Sequence, residues 1–183
     1  MFVLEHRQSS SGTPIHEPAM VPQVLQVLEP RRGQRALDLT VGTGGHSLAL
    51  AEAIGPEGLL VGLDADQDAL RVAEARLAEA APCPFRLMAA RFGRALEVLR
   101  EAGLGAFDLL LADLGVGTHQ LLDPVRGLSF DSTERLDMRF DRSAGASAYD
   151  VVNGASEEEL ASILHALGEE RYSREIAARI CRR

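Results

Sequence analysis

The stretch Asp38-Leu39-Thr40-Val41-Gly42-Thr43-Gly44-Gly45-His46-Ser47 limits what this chain can fold into more than any other. Before it, residues 35–39 (Arg-Ala-Leu-Asp-Leu) read as a short buried strand. After it, residues 47–54 read as a helix rich in Ala and Leu. A strand that enters a helix through three glycines lets backbone approach a ligand closely, with the helix N-terminus pointing at it. The next strand, residues 59–63, ends in Asp64, twenty residues after Gly44. A carboxylate at that place takes the ribose hydroxyls of a bound nucleoside. The expectation is a cofactor with an adenosine half.

The loop itself discriminates between cofactors. A dinucleotide fingerprint requires G-x-G-x-x-G, and Ser47 stands at the third glycine position. Asp38, just upstream of the glycines, suits S-adenosylmethionine better. A carboxylate there can hold the cofactor's cationic amino-acid end, directly or through water, whereas it would repel a pyrophosphate. A glycine-rich turn without any ligand is the bland alternative.

Beyond the loop, strands and helices alternate. Residues 19–28 read as a helix with Val21, Val24, Leu25 and Leu28 on one face, after a tail over 1–13 and a proline-rich, non-helical 14–18. Residues 66–80 form an amphipathic helix, 84–88 a third strand, 93–102 another helix, and 107–112 a fourth strand, wholly apolar after Asp108. Repeated β–α units predict a parallel sheet covered by helices on both faces, an α/β fold. Ligands in such sheets bind at the carboxyl ends of the strands. Asp38, Gly42 to Gly45, Asp64, residues 89–92 and Asp113 all fall at that edge. Residues 114–153 read as loop, with Arg126, Arg135, Arg139 and Arg142 interleaved with carboxylates. Helices return at 156–167, opened by a Ser156/Glu159 capping box, and from about 169 to 183.

Composition closes off several function classes. No apolar run approaches the ~18 residues of a membrane span, and the N-terminus lacks a signal-peptide core. The two cysteines, Cys83 and Cys181, are far apart and outside any ligand-spaced motif, so neither a disulfide framework nor a zinc site is expected. A reducing cytoplasm is the default. The net charge of −8 argues against non-specific, charge-driven nucleic-acid binding and leaves room for a local basic patch.

The chain resembles a known family in several ordered motifs. They are His16-Glu17-Pro18, Gly42-x-Gly44-Gly45-His46-Ser47, Asp113-Leu114-Gly115-Val116 and Gln120-Leu121-x-Asp123-Pro124-x-Arg126-Gly127-x-Ser129-Phe130. Leu136-Asp137-Met138-Arg139 and Gly168-Glu169-Glu170-Arg171 complete the set. Together they are similar to the bacterial ribosomal RNA small-subunit methyltransferase H family. The resemblance implies S-adenosyl-L-methionine as cofactor, small-subunit ribosomal RNA as partner, and methylation of a cytidine N4 in the decoding region. It implies a Rossmann-like domain over 14–116 and a mostly helical substrate-recognition insertion over 117–183. The family's cofactor positions fall on Gly44, Gly45, His46, Asp64, Phe92, Asp113 and Gln120. Asp64 would bind the ribose, Phe92 would pack on adenine, and Asp113 and Gln120 would orient the cofactor or the incoming base. Without the resemblance, His46 reads as a helix cap or loop hydrogen bond and Phe92 equally well as ordinary core.

Departures from the family pattern concentrate in the substrate loop. Gly117-Thr118-His119 replaces Ser-Ser-Pro, Glu134-Arg135 replaces Gly-Pro, and Leu128 replaces an aromatic. Family members also continue well past residue 183, with a late Ser-Phe-His-Ser motif. The expectation is a chain with an incomplete sheet, its fourth strand at an edge, and no competence for turnover alone. Three rivals stand beside this reading: a methyltransferase for another substrate, a nicotinamide-dependent oxidoreductase, and a non-catalytic cofactor- or RNA-binding remnant.

Overall fold

The structure, a computed structural model, describes residues 18–182. The expected tail over 1–13 and residues 14–17 of the proline-rich segment lie outside the described residues, as does Arg183. The described chain divides into two units, one ending at His119 and the other beginning at Gln120.

In the first unit, strands β1 (Arg35–Asp38), β2 (Leu59–Asp64), β3 (Phe85–Ala89) and β4 (Leu109–Leu111) form a parallel sheet in the order β3-β2-β1-β4. Helices α1 (Val21–Leu28), α2 (Gly45–Ile54), α3 (Gln67–Ala80) and α4 (Ala95–Glu101) flank it. The central strands are apolar on both faces because helices cover both. Ala36 and Leu60 face a cluster with Leu50, Ala51 and Ile54 of α2 and Leu77 of α3, joined by Leu25 and Leu28 of α1. Leu37 and Val61 face the other way, onto Leu99 of α4. Such continuous apolar runs are what doubly covered parallel strands require. Asp66 fixes the start of α3, its buried carboxylate accepting from the Asp68 and Ala69 amides.

The fourth strand is shorter and more exposed than its sequence promised. Only three residues join the sheet, Leu109 is buried, and Leu110 is 57% exposed. Two constraints explain the difference. Among the described residues strand β4 pairs with β1 alone, at the edge of the sheet as the sequence predicted. Before it, the Asp108 carboxylate accepts the Arg35 N–H at 2.8 Å in place of a backbone carbonyl, while the Asp108 N–H still donates to the Arg35 carbonyl oxygen at 2.9 Å.

The second unit is helical. Helix α5 (Thr118–Leu122) leads into it, followed by α6 (Ala148–Gly154), α7 (Glu157–Gly168) and α8 (Ser173–Cys181). The Ser156/Glu159 capping box is present. A second one, Ser147/Asp150, opens α6 within the stretch read as loop. That S-x-x-D signal was visible in the sequence and carried a helix. The last helix starts four residues later than expected, because Glu169 is left-handed (φ 50°) and Glu170 caps the intervening turn by accepting the Tyr172 N–H. Between α5 and α6 the chain folds around Gly127, whose φ is +61°. A Cβ there would lie 2.8 Å from the Arg135 carbonyl oxygen and 3.0 Å from the Asp137 nitrogen.

Gly127→Ala should therefore destabilise this unit by about 1–3 kcal/mol from backbone strain alone. Hydrogen exchange should accelerate across α6 and α7 while the amides of β1 and β2 stay protected. Unchanged exchange in α6 would contradict this account of the turn.

Candidate cofactor site

The loop from β1 to α2 is held by two carboxylates at adjacent strand ends. Asp38 is completely buried. Its Oδ1 accepts the Thr40 N–H at 3.0 Å and its Oδ2 accepts the Ser47 hydroxyl at 2.6 Å. Burial pushes the Asp38 carboxyl above its ordinary range, and the Ser47 bond works against that shift. Asp64 holds the other side. Its Oδ2 accepts the Gly42 N–H at 2.7 Å and its Oδ1 accepts the Asp66 N–H at 2.8 Å. Each Asp64 oxygen keeps a second lone pair for a further donor.

This arrangement narrows the sequence reading of Asp38 to its water-mediated form. A side chain with no exposed surface does not contact a cofactor directly. Asp38 instead fixes the loop through Thr40 and Ser47. Ser47 explains the broken dinucleotide pattern, since its hydroxyl ties helix to strand where close packing alone would otherwise serve.

The three glycines of the loop differ in their surroundings. Gly44 is left-handed (φ 83°), and a Cβ on it would press on Ala73 of α3 at 3.1 Å. A Cβ on Gly45 would meet the Pro18 ring at 2.5 Å. Both glycines thus make room for protein. Gly42 (φ 53°) has nothing among the described residues within 4 Å of its missing side chain, which sets it apart from the other two glycines of the loop. Spacing alone could not distinguish among them.

His46 follows on the first turn of α2, only 8% exposed. Its Nε2 lies 3.6 Å from Oδ2 of Asp113, too long for a hydrogen bond, and its buried Nδ1 has no hydrogen-bond partner among the described residues. Among the described residues, the cap or loop bond anticipated for it is not made. Asp113 is tied in from its backbone, donating its N–H to the Thr40 hydroxyl at 2.7 Å, while its carboxylate side chain stays 66% exposed. Thr40 was missed by sequence reasoning, because a lone threonine in a loop carries no signal of a partner seventy-three residues away. Gly42, Gly44, Gly45, His46, Asp64 and Asp113 are thereby brought to one edge of the sheet. Phe92 opens a short 3₁₀ turn just after β3, three residues beyond Ala89, which pairs with Asp64. At 55% exposed it is not a core residue. Gln120 lies buried on α5, at the start of the second unit.

Three of the second unit's arginines are occupied internally. Arg126 is buried, pairs with Asp123 at 3.2 Å, and donates to the Arg139 and Phe140 carbonyl oxygens. Arg135 lies over the Tyr149 ring and pairs with Asp150 at 2.9 Å. Arg139 forks onto Asp137, and that hydrogen-bonded guanidinium holds the Asp137 carboxyl down at about 2. The stabilisation from this pair is present above the ordinary carboxylate value and is lost as pH falls toward 2. Of the two sequence readings, a salt-bridged loop or a phosphate grip, these three side chains follow the first. Among the described residues no group of His, Cys, Asp and Glu is arranged to hold a metal ion. No described helix is long and apolar enough to cross a membrane.

A parallel α/β sheet with a glycine loop and carboxylates at its strand ends is a Rossmann-like arrangement. The chain belongs to the MraW methylase family, whose model matches residues 13–183. It is 45% identical over 165 residues to the ribosomal RNA small subunit methyltransferase H of Trichlorobacter lovleyi, covering 90% of this chain and 52% of that protein. It is 47% identical to the protein of that name from Syntrophotalea carbinolica, with the same coverage. A solved protein-L-isoaspartate O-methyltransferase matches over 61% of this chain and 33% of its own, with a TM-score of 0.45 and 13% identity. The chain spans about half the length of the curated relatives it matches.

Ser47→Ala should lower stability by about 1–3 kcal/mol at neutral pH, since it leaves Oδ2 of Asp38 buried without its donor. The loss should be smaller near pH 5 than at pH 8. The folded-state pKa of Asp38 is already raised and would rise further, so protonation relieves the unpaired charge as pH falls. Denaturant melts at the two pH values read this, and equal losses at both would contradict it.

Proposed function

We propose that this chain binds S-adenosylmethionine through the 42–46 loop and Asp64. In the whole protein, we infer, it serves methylation of a cytidine N4 in small-subunit ribosomal RNA. The observation that carries the reading is the Asp64 carboxylate, which anchors Gly42 through one lone pair of Oδ2, at a glycine whose missing side chain meets nothing among the described residues. The donor set suits this cofactor. Asp64 and Asp113 offer acceptors to ribose hydroxyls and to an ammonium group, and the His46 Nδ1, without a partner among the described residues, lies at the same edge. A pyrophosphate would meet carboxylates instead of cations. When bound, the cofactor supplies an electrophilic methyl group on a sulfonium.

The chain's own residues then have to position and exclude. Asp64 holds the ribose, and the half-exposed Phe92 ring offers an apolar face to adenine. The amino group of cytosine is a poor nucleophile because its lone pair is delocalised into the ring. Proximity and alignment therefore carry much of the rate, and the base must leave its stack to reach the site. Asp113, exposed at the end of β4, can accept an N4 proton in a hydrogen bond and so enrich the nitrogen. Gln120 takes a similar orienting role by family resemblance, and no general base is assigned. The RNA substrate is supported by the names of the relatives and by the ordered motif set through the second unit. With a net charge of −8, recognition would rely on local contacts and shape more than on bulk charge.

Asp64→Ala should weaken S-adenosylmethionine binding by roughly 2–4 kcal/mol, through two hydroxyl bonds to a charged acceptor and the loosened loop. Calorimetry on the folded variant reads the effect, and unchanged affinity would sink the ribose assignment. For the whole protein, mass spectrometry of digested small-subunit RNA should find the new methyl group on cytidine N4. Methylation confined to carbon 5, or to protein, would refute the substrate assignment.

A further inference from the structure

Gly45 presents a puzzle that its backbone does not solve. It is the first residue of α2, and it is not among the left-handed glycines. At such a helical position alanine is the better residue, so conformation does not call for glycine. The demand comes from contact. A Cβ built on Gly45 would lie 2.5 Å from both Cδ and Cγ of Pro18, and 3.4 Å from its Cβ. Unlike the end of a long side chain, a pyrrolidine ring has no rotamer through which to retreat.

Pro18 is itself held in place. Two residues on, Met20 adopts a left-handed conformation (φ 63°) as the N-cap of α1. Helix α1 is then secured by Leu25 and Leu28, which pack on the cluster built by Leu50, Ala51 and Ile54 of α2. On its other flank the loop meets α3, where Gly44 abuts Ala73. The loop therefore enters α2 between a ring fixed by α1 and the backbone of α3. The turn so positioned carries His46, which faces Asp113.

We propose that Pro18 is a positioning residue of the cofactor loop, and that Gly45 is glycine to admit the Pro18 ring instead of the ligand. The proposal rests on the reading of this loop as an S-adenosylmethionine site. It makes a specific prediction about rescue. Pro18→Ala removes the two ring atoms a Cβ would strike and leaves only the one at ordinary contact distance. Alanine at position 45 should then be accommodated.

The test is a cycle of Gly45→Ala, Pro18→Ala and the double variant. Each is read by hydrogen exchange at the 44–48 amides without ligand and by calorimetric titration with S-adenosylmethionine. Gly45→Ala should weaken binding by about tenfold or more, and Pro18→Ala by about threefold with faster exchange. The double variant should bind at least as tightly as Pro18→Ala, and better than Gly45→Ala. If the double variant is as weak as Gly45→Ala or weaker, the missing side chain serves the ligand and the proposal is overturned. It is equally overturned if Pro18→Ala changes neither exchange nor affinity. Should Gly45→Ala fail to fold alone, a folded double variant would support the proposal and an unfolded one would overturn it. Absence of cofactor binding by the wild-type chain would refute the proposed function. The exchange rates and thermal midpoints of the same four proteins would still decide whether Pro18 sets the loop.

Discussion

Two carboxylates on neighbouring strands hold a glycine loop by its own backbone, and the arrangement of the site depends on this. Strand β1 delivers Asp38 and strand β2 delivers Asp64, in a parallel register that pairs Asp38 with Gly62. Asp38 bonds to Thr40 and Ser47, and Asp64 bonds to Gly42 and Asp66. One carboxylate is sealed beneath the loop and the other stands at its open side. Backbone amides of a loop are flexible donors when unpaired. Tied to charged acceptors, they become fixed ones, since charge-assisted bonds are about twice as strong as neutral ones. The same ties set the entry of α2, which places His46 against the end of β4.

How much of this was legible in the sequence follows from how local each signal is. The strand–loop–helix unit, Asp64 at the end of β2, the strand order at β1 and β4, and the Ser156 cap all rest on patterns within a few residues or on the rules of parallel sheets. The structure has each of them where those patterns put it. Roles that depend on what lies across space are different. Gly44 and Gly45 have the spacing of ligand clearance, and a Cβ on either would also press on Ala73 or Pro18, which spacing does not reveal. Asp38 has the position of a cofactor contact and is a buried strut. Phe92 is balanced in sequence between core and ligand face, and its exposure removes the core reading. Strand β4 has the leucine-rich composition of a central strand; its place at the edge leaves Leu110 uncovered among the described residues.

The second unit shows the same dependence in its charges. Its arginines invite a phosphate-binding reading, yet Arg126, Arg135 and Arg139 are bound to Asp123, Asp150 and Asp137. Interleaved charges on a loop that must hold its shape without a sheet act as its scaffold, especially where one guanidinium is buried. A buried pair is worth little when compared with a hydrophobic substitute, but breaking one partner is expensive, which keeps both members in place.

The central claim is that the carboxyl edge of β1 and β2 is the cofactor site, and an NMR titration of the folded chain with S-adenosylhomocysteine tests it most directly. The account predicts saturable amide shifts at Gly42 to Ser47 and at Asp64 to Asp66, with the Phe92 ring resonances moving by ring-current effects from the adenine. Saturable shifts confined to other residues, or none at millimolar ligand, would contradict it.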